Sequence, residues 1–88
     1  LIKLEKLYLA NNKIITIPIE IGNLINLEGL YLNKNKIEEI PKEINKLINL
    51  NQLWIYDNQI KKIPIGIANF FNLDDLDLRN NPFEFPPL

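Results

Sequence analysis

Three aromatic side chains recur at a fixed interval in this chain, at Tyr8, Tyr31 and Trp54, each 23 residues after the one before. If the chain coils with that period, the three rings lie side by side. With Tyr56 beside them, Trp54 and Tyr31 then form an exposed anchor of the kind that dominates protein interfaces. The structural alternative is that neighbouring rings on a sheet only stabilise each other, by about 0.2–1 kcal/mol per pair. A third alternative is that the aromatic side chains bind a carbohydrate by stacking on its sugar rings.

The four aspartates of the chain all lie in its second half, at Asp57, Asp74, Asp75 and Asp77. Beside aromatic rings they select a basic partner and steer its approach, whereas a solvated patch would only keep the chain soluble. A more specific alternative is that Asp57, Asp75 and Asp77 hold a calcium ion, but the spacing of these aspartates matches no known calcium loop. We therefore predict no metal and no cofactor. The residues expected to contact a protein or peptide partner are Tyr8, Tyr31, Trp54, Tyr56, Asp75, Asp77 and Arg79.

Residues that perform enzyme chemistry are scarce. The chain has no histidine, cysteine or serine, Thr16 is its only threonine, and no glycine-rich phosphate loop appears. Paired carboxylates act as acid and base only inside a cleft that raises the pKa of one of them. A shallow sheet surface offers no such cleft, so the sequence predicts a protein that is not an enzyme.

Length and composition limit the number of domains and the kinds of partner. The 88 residues suit one domain, and 10 basic against 11 acidic side chains give no general attraction to nucleic acid or anionic membranes. No apolar run approaches the roughly 20 residues that a membrane span needs. Without cysteine, no disulfide can stabilise the fold. Since methionine is also absent, we expect the chain to be a processed or excised piece of a longer product.

The elements that must position these side chains come from an internal repeat. The pattern from Leu50 to Asn58 occurs four times, and its opening leucines follow one another every 23 residues without insertion or deletion. A fixed period in the twenties is typical of a stacked solenoid, whose units bury their apolar sides against each other. We divide the chain into a partial repeat 1–3, full repeats 4–26, 27–49 and 50–72, and a truncated repeat 73–88.

The repeats resemble the leucine-rich repeat family. The residues that carry the resemblance are Leu4, Leu7, Leu9 and Asn12, then Leu27, Leu30, Leu32 and Asn35, then Leu50, Leu53, Ile55 and Asn58, and finally Leu73, Leu76, Leu78 and Asn81. The resemblance implies an α/β solenoid with a short parallel β-sheet and a binding face on its concave side. Short 3-10 or α turns and loops lie on the convex side, and most members lack catalytic activity. The Ile-Pro pairs are similar to those of bacterial and of plant intracellular repeats. Composition favours the bacterial type, and the family slightly favours a secreted or cell-surface location over a cytoplasmic one.

Within each repeat, alternation predicts a short strand, with Leu53 and Ile55 pointing inward and Trp54 and Tyr56 outward. Strands that return every 23 residues pair in parallel, so equivalent positions form columns. The central outward column is Tyr8, Tyr31, Trp54 and Asp77, flanked by Lys6, Gly29, Gln52 and Asp75 on one side and by Ala10, Asn33, Tyr56 and Arg79 on the other. Asn11, Lys34, Asp57 and Asn80 lie at the far edge. These outward columns are the positions where we expect residue types to vary freely.

Two further columns have structural roles. An asparagine closes each framework, at Asn12, Asn35, Asn58 and Asn81, and its amide can bond to the backbone of its own and neighbouring coils. Ile-Pro pairs at 17–18, 40–41 and 63–64, with Phe85-Pro86 at the end, turn the chain. A helical turn is expected after each of the first three, best after Pro41, with Gly22 and Gly66 weakening the other two.

The ends of the array suggest an alternative role. Nothing before Leu4 resembles a cap, and Phe83, Phe85 and Leu88 leave apolar side chains at the last coil. As the alternative to a binding module, the chain is either a structural fragment of a longer repeat array or a subunit that self-associates through its ends, as a dimer or by domain swapping.

Overall fold

A computed structural model describes residues 3–64 and 73–84 of this chain. The elements in chain order are strand β1 (Lys6–Tyr8), 3-10 helix η1 (Ile19–Asn23), strand β2 (Gly29–Tyr31), 3-10 helix η2 (Lys42–Lys46), strand β3 (Gln52–Trp54) and strand β4 (Asp75–Asp77). The predicted third helical turn, with Gly66, Ile67 and Phe70, lies outside the described residues, as do the first two residues, Phe85-Pro86 and Leu88.

The four strands form one parallel sheet in the order β1-β2-β3-β4. Leu7, Leu30, Leu53 and Leu76 lie opposite one another, so the register follows the 23-residue period without a shift. Backbone bonds extend past the strand ends, as from Leu9 N to Tyr31 O at 2.8 Å and from Leu32 N to Trp54 O at 2.8 Å. The predicted parallel pairing is confirmed.

The apolar core is centred on the second and third coils. Its fully buried side chains are Leu27, Leu30, Leu32, Ile37, Leu53, Ile55 and Ile60. In the first coil Leu4 is exposed and Leu7 and Leu9 are partly buried, because the described structure places a packing coil on one side of them only. The leucine framework therefore fills the interior as predicted, but most completely in the middle of the stack.

Each framework asparagine from the second coil onward joins two coils. Asn58 is buried, and its Nδ2 donates to Leu32 O and Ile55 O, both at 3.0 Å, while its Oδ1 accepts Ile37 N at 2.9 Å. Asn35 and Asn81 repeat this pattern. The asparagines thus satisfy the backbone groups that no strand ladder serves, as predicted.

The two helices lie where the Ile-Pro pairs predicted them. Pro18 and Pro41 are extended, and their carbonyls accept Ile21 N at 3.1 Å and Ile44 N at 3.2 Å. The prediction that Gly22 weakens the first helix is wrong, since η1 is as long as η2. A β-carbon at Gly22 would lie 2.8 Å from Glu43 O, so glycine lets the two helices pack closely.

The far-edge column carries a backbone constraint that the sequence did not indicate. Its four members have positive φ angles: Asn11 61°, Lys34 59°, Asp57 59° and Asn80 56°. Asparagine and aspartate tolerate this left-handed conformation, whereas lysine is less suited to it. The positive φ therefore favours asparagine and aspartate at these positions, although Lys34 is also accommodated.

Candidate protein-binding face

The outward side of the sheet carries every residue expected to contact a partner. Tyr8, Tyr31 and Trp54 end strands β1, β2 and β3, Asp75 and Asp77 are the ends of β4, and Tyr56 and Arg79 lie two residues beyond β3 and β4. The register places Tyr8, Tyr31, Trp54 and Asp77 in one row. We call this surface, with its two flanking columns, the concave face.

The three rings of the central row are in direct contact. The centroids of Tyr8 and Tyr31 are 4.6 Å apart with their planes at 14°, and those of Tyr31 and Trp54 are 4.7 Å apart at 67°. Both geometries are ones that aromatic pairs favour. The predicted row of rings is therefore present on this side of the sheet.

Exposure differs sharply along the row. Tyr8 is 67% exposed, Trp54 is half-buried and Tyr31 is only 4% exposed. The expectation that Tyr31 is an exposed anchor is wrong, because the rings on either side cover it. Burial, together with the neighbouring Tyr8 and Asp75, raises the pKa of the Tyr31 hydroxyl above its ordinary value. Tyr31 thus supports the row, and Tyr8 and Trp54 present it to solvent.

Polar bonds fix the orientation of the rings. The Tyr31 hydroxyl donates to Gln52 Oε1, and the Trp54 indole Nε1 donates to Asp75 Oδ2 at 3.0 Å. In both cases the acceptor comes from the next strand, 21 residues further along the chain. The rings of Tyr31 and Trp54 are therefore each held by the flanking polar residue of the following repeat.

The other flank forms a second group. Asn33 Nδ2 donates to the Tyr56 hydroxyl at 3.0 Å, and the Arg79 guanidinium lies 5.6 Å from the centroid of the Tyr56 ring. Arg79 also pairs with Asp77, with its Nη2 2.7 Å from Oδ2 and its Nε 2.9 Å from Oδ1. These bonds from Arg79 lower the pKa of the Asp77 carboxyl.

Asp57, another carboxylate of the acidic end, is bonded to the next repeat. Asp57 Oδ1 accepts Asn80 Nδ2 at 2.7 Å, while Asp75 and Asp77 are bonded to Trp54 and Arg79. Within residues 3–64 and 73–84, no group of three or more acidic side chains is arranged to hold a metal ion. Within the same residues no helix is long and apolar enough to cross a membrane.

Two open depressions lie away from the aromatic row. One, of about 450 Å³, is lined by Lys3, Glu5, Asn26, Glu28 and Asn49. The other, of about 480 Å³, is lined by Glu38, Glu39, Gln59, Lys61 and Lys62. Neither of these two depressions is lined by an aromatic side chain.

Comparison with known proteins identifies the class of this fold. A family model described as a leucine-rich repeat region matches residues 1–84, and the chain therefore belongs to the leucine-rich repeat family. No curated protein matches it.

A solved leucine-rich-repeat protein of Leptospira interrogans is similar in structure, with a TM-score of 0.80 and 40% sequence identity. The match covers 85% of this chain and 19% of that one, so this chain spans about a fifth of that protein. The neighbour is bacterial, which supports the bacterial type of repeat that composition favoured. Domains of this family and fold are commonly protein-interaction modules and are generally not enzymes.

Sequence reasoning placed the columns but missed three roles within them. Gln52 holds the Tyr31 hydroxyl, Asn33 is a buried partner of Tyr56, and Gly29 leaves space for the Tyr31 ring. The signal that could have found the first is a spacing of 21 residues from an aromatic to a polar side chain, since Trp54 and Asp75 share it. The other two depend on side-chain packing that the period alone does not give.

Proposed function

We propose that this chain is a non-enzymatic interaction module that binds a protein or peptide on its concave face, around Trp54 and Tyr8. The observation that carries the proposal is the ordered row of rings, held in place by polar bonds and yet open to solvent at Tyr8 and Trp54. Interface anchors are typically aromatic side chains fixed in one orientation, because they lose little conformational freedom on binding.

The electrostatics of the face favour a protein over a nucleic acid. Asp75 and Asp77 lie beside the rings, and the chain as a whole has a net charge of −1. A phosphate backbone would meet carboxylates beside the rings of this surface, which opposes its binding. A polypeptide can place apolar groups on the rings and polar groups on the carboxylates.

The proposal is tested by selecting peptides on the immobilised chain from a random library and measuring their affinities for variants. We expect Trp54→Ala and Tyr8→Ala each to weaken the selected peptides more than about tenfold, the loss typical of an interface anchor. Ile48→Ala is the matched control, because Ile48 is 77% exposed and lies outside the concave face. Far-UV circular dichroism verifies that each variant is folded. Affinities that stay unchanged in Trp54→Ala would show that the peptides bind elsewhere.

A second candidate function rests on the first coil. Ile15 and Ile19 are both more than half exposed there, whereas the equivalent positions of the next coil are Glu38 and Lys42. Exposed branched side chains of this kind favour docking of another apolar surface, including a second copy of the chain. Sedimentation equilibrium of the chain and of Ile15→Glu tests this. A monomer at high concentration would exclude self-association.

A further inference from the structure

The Arg79 guanidinium shows how the concave face receives a cation. It makes two bonds to the Asp77 carboxylate, at 2.7 and 2.9 Å, and lies 5.6 Å from the centroid of the Tyr56 ring. A carboxylate fork beside an aromatic ring is the arrangement that matches a planar guanidinium both electrostatically and by stacking. Asp77 and Tyr56 therefore form a guanidinium receptor, which we call the Tyr56–Asp77 receptor.

The Tyr56 ring is held by Asn33, whereas the Arg79 side chain is largely exposed. The Asp77 side chain is 20% exposed and that of Arg79 is 76% exposed. The Tyr56 hydroxyl accepts a hydrogen bond from Asn33, which is 6% exposed. An ion pair with one such exposed partner is weak, because water screens it and the long side chain loses rotamer freedom. An arginine from outside can therefore take the place of Arg79.

The Asn33 amide supplies an independent observation at the same place. Its Nδ2 is bonded to Tyr56, but its Oδ1 is buried without a hydrogen-bond partner. Buried polar atoms are normally paired. The amide that holds the receptor ring is thus only partly paired.

The charges on this part of the concave face indicate a basic partner. Segments 51–59 and 73–80 contain four carboxylates, and Arg79 is their single cationic side chain. Asp75 follows Trp54 by 21 residues, the spacing that also separates Asp77 from Tyr56, and it accepts the Trp54 indole N–H, so a second carboxylate lies beside a ring of the concave face. This half of the concave face fits an extended basic peptide.

We propose that the Tyr56–Asp77 receptor binds an arginine side chain of a basic peptide, and that Arg79 occupies the receptor when no partner is present. This rests on the proposed function, since it assigns the partner chemistry of the same face. Arginine is preferred to lysine because only the planar guanidinium bonds the carboxylate through two parallel N–H groups while lying on the ring. Removing Arg79 frees the receptor.

Fluorescence anisotropy with labelled octa-arginine and octa-lysine tests the proposal. On the unmodified chain we expect octa-arginine to bind about threefold or more tightly than octa-lysine. Arg79→Ala should tighten octa-arginine binding by about threefold or more and widen its preference over octa-lysine, because a competing cation is removed. Lys61→Ala is the matched control, since it removes the same charge from the depression that Glu38 and Glu39 line and should leave the preference unchanged.

Two variants probe the receptor itself. Asp77→Asn removes the charged fork and Tyr56→Leu removes the ring, and each should bring the two peptides to nearly equal affinity. Equal binding of the two peptides by the unmodified chain and by Arg79→Ala would overturn the proposal. So would a gain in Lys61→Ala as large as that in Arg79→Ala, because it would reduce the effect to net charge. Neither result affects the proposed function, which fails only if selected peptides bind independently of Trp54 and Tyr8.

Discussion

The ring of Tyr31 lies over Gly29 of its own strand, so close that a β-carbon at Gly29 would lie 2.5 Å from the phenolic oxygen and 2.8 Å from the adjoining ring carbon. Glycine elsewhere in a strand weakens it, because there is no side chain to pack and more backbone entropy is lost. Here its missing side chain is what lets Tyr31 reach Gln52 and lie between Tyr8 and Trp54.

Gly29→Ala is therefore expected to destabilise the chain by about 1 kcal/mol, as overpacking does, although alanine is the better strand residue. The measurement is the urea midpoint, with Trp54 fluorescence as a second reading because Tyr31 contacts that indole. In a Tyr31→Leu background the ring is absent, and Gly29→Ala should become neutral or stabilising. An equal loss in both backgrounds would mean that the ring does not require glycine.

Asn58→Ala should lower the free energy of unfolding by about 2–4 kcal/mol, because it leaves buried backbone groups of two coils unpaired. Among the described residues, Asn12→Ala removes bonds to Leu9 O and Ala10 O of its own coil, and Asn12 is exposed, so its loss should be about 1 kcal/mol or less. Urea unfolding of the two variants side by side provides the comparison. Similar losses would contradict the two-coil role of Asn58.

Lys34→Gly should raise the free energy of unfolding by about 0.5–1 kcal/mol, because Lys34 adopts a φ of 59° that glycine accepts without strain. Lys36→Gly is the control. Lys36 is also an exposed lysine but does not share the positive φ, so glycine there should destabilise. Both substitutions remove one lysine charge. A difference in thermal unfolding between the two variants therefore reports the backbone effect at Lys34 and not the loss of a charge.

The bond between Asp77 and Arg79 predicts a pH dependence. Because Arg79 lowers the pKa of Asp77 in the folded chain, the bond stabilises the fold above the unfolded pKa and this stabilisation is lost as pH falls through the folded pKa. The gap in urea midpoint between the unmodified chain and Arg79→Ala should be small and present at pH 7, and it should narrow progressively as pH falls below about 4, the ordinary pKa of an aspartate. A gap that stays constant from pH 7 down to the lowest pH at which the chain folds would exclude Asp77 as its source.

The period of the sequence was sufficient to predict most of the fold. Spacing of 23 residues with leucine at fixed positions requires equivalent side chains to stack, and it yielded the parallel sheet, the inward leucines, the bridging asparagines and the row of Tyr8, Tyr31 and Trp54. These features depend on which positions are equivalent, and the 23-residue repeat identifies the equivalent positions.

Only the tertiary structure shows how much these equivalent positions differ in exposure, in contacts and in backbone conformation. The burial of Tyr31 depends on the rings that flank it, the space over Gly29 depends on the rotamer of that tyrosine, and the Arg79 contact with Tyr56 joins side chains 23 residues apart. The positive φ of Lys34 is a backbone angle that its residue type argues against. The sequence alone determined the columns, because period sets register. Only the structure determined exposure, pairing and strain within them, because these arise from contacts between side chains of different repeats.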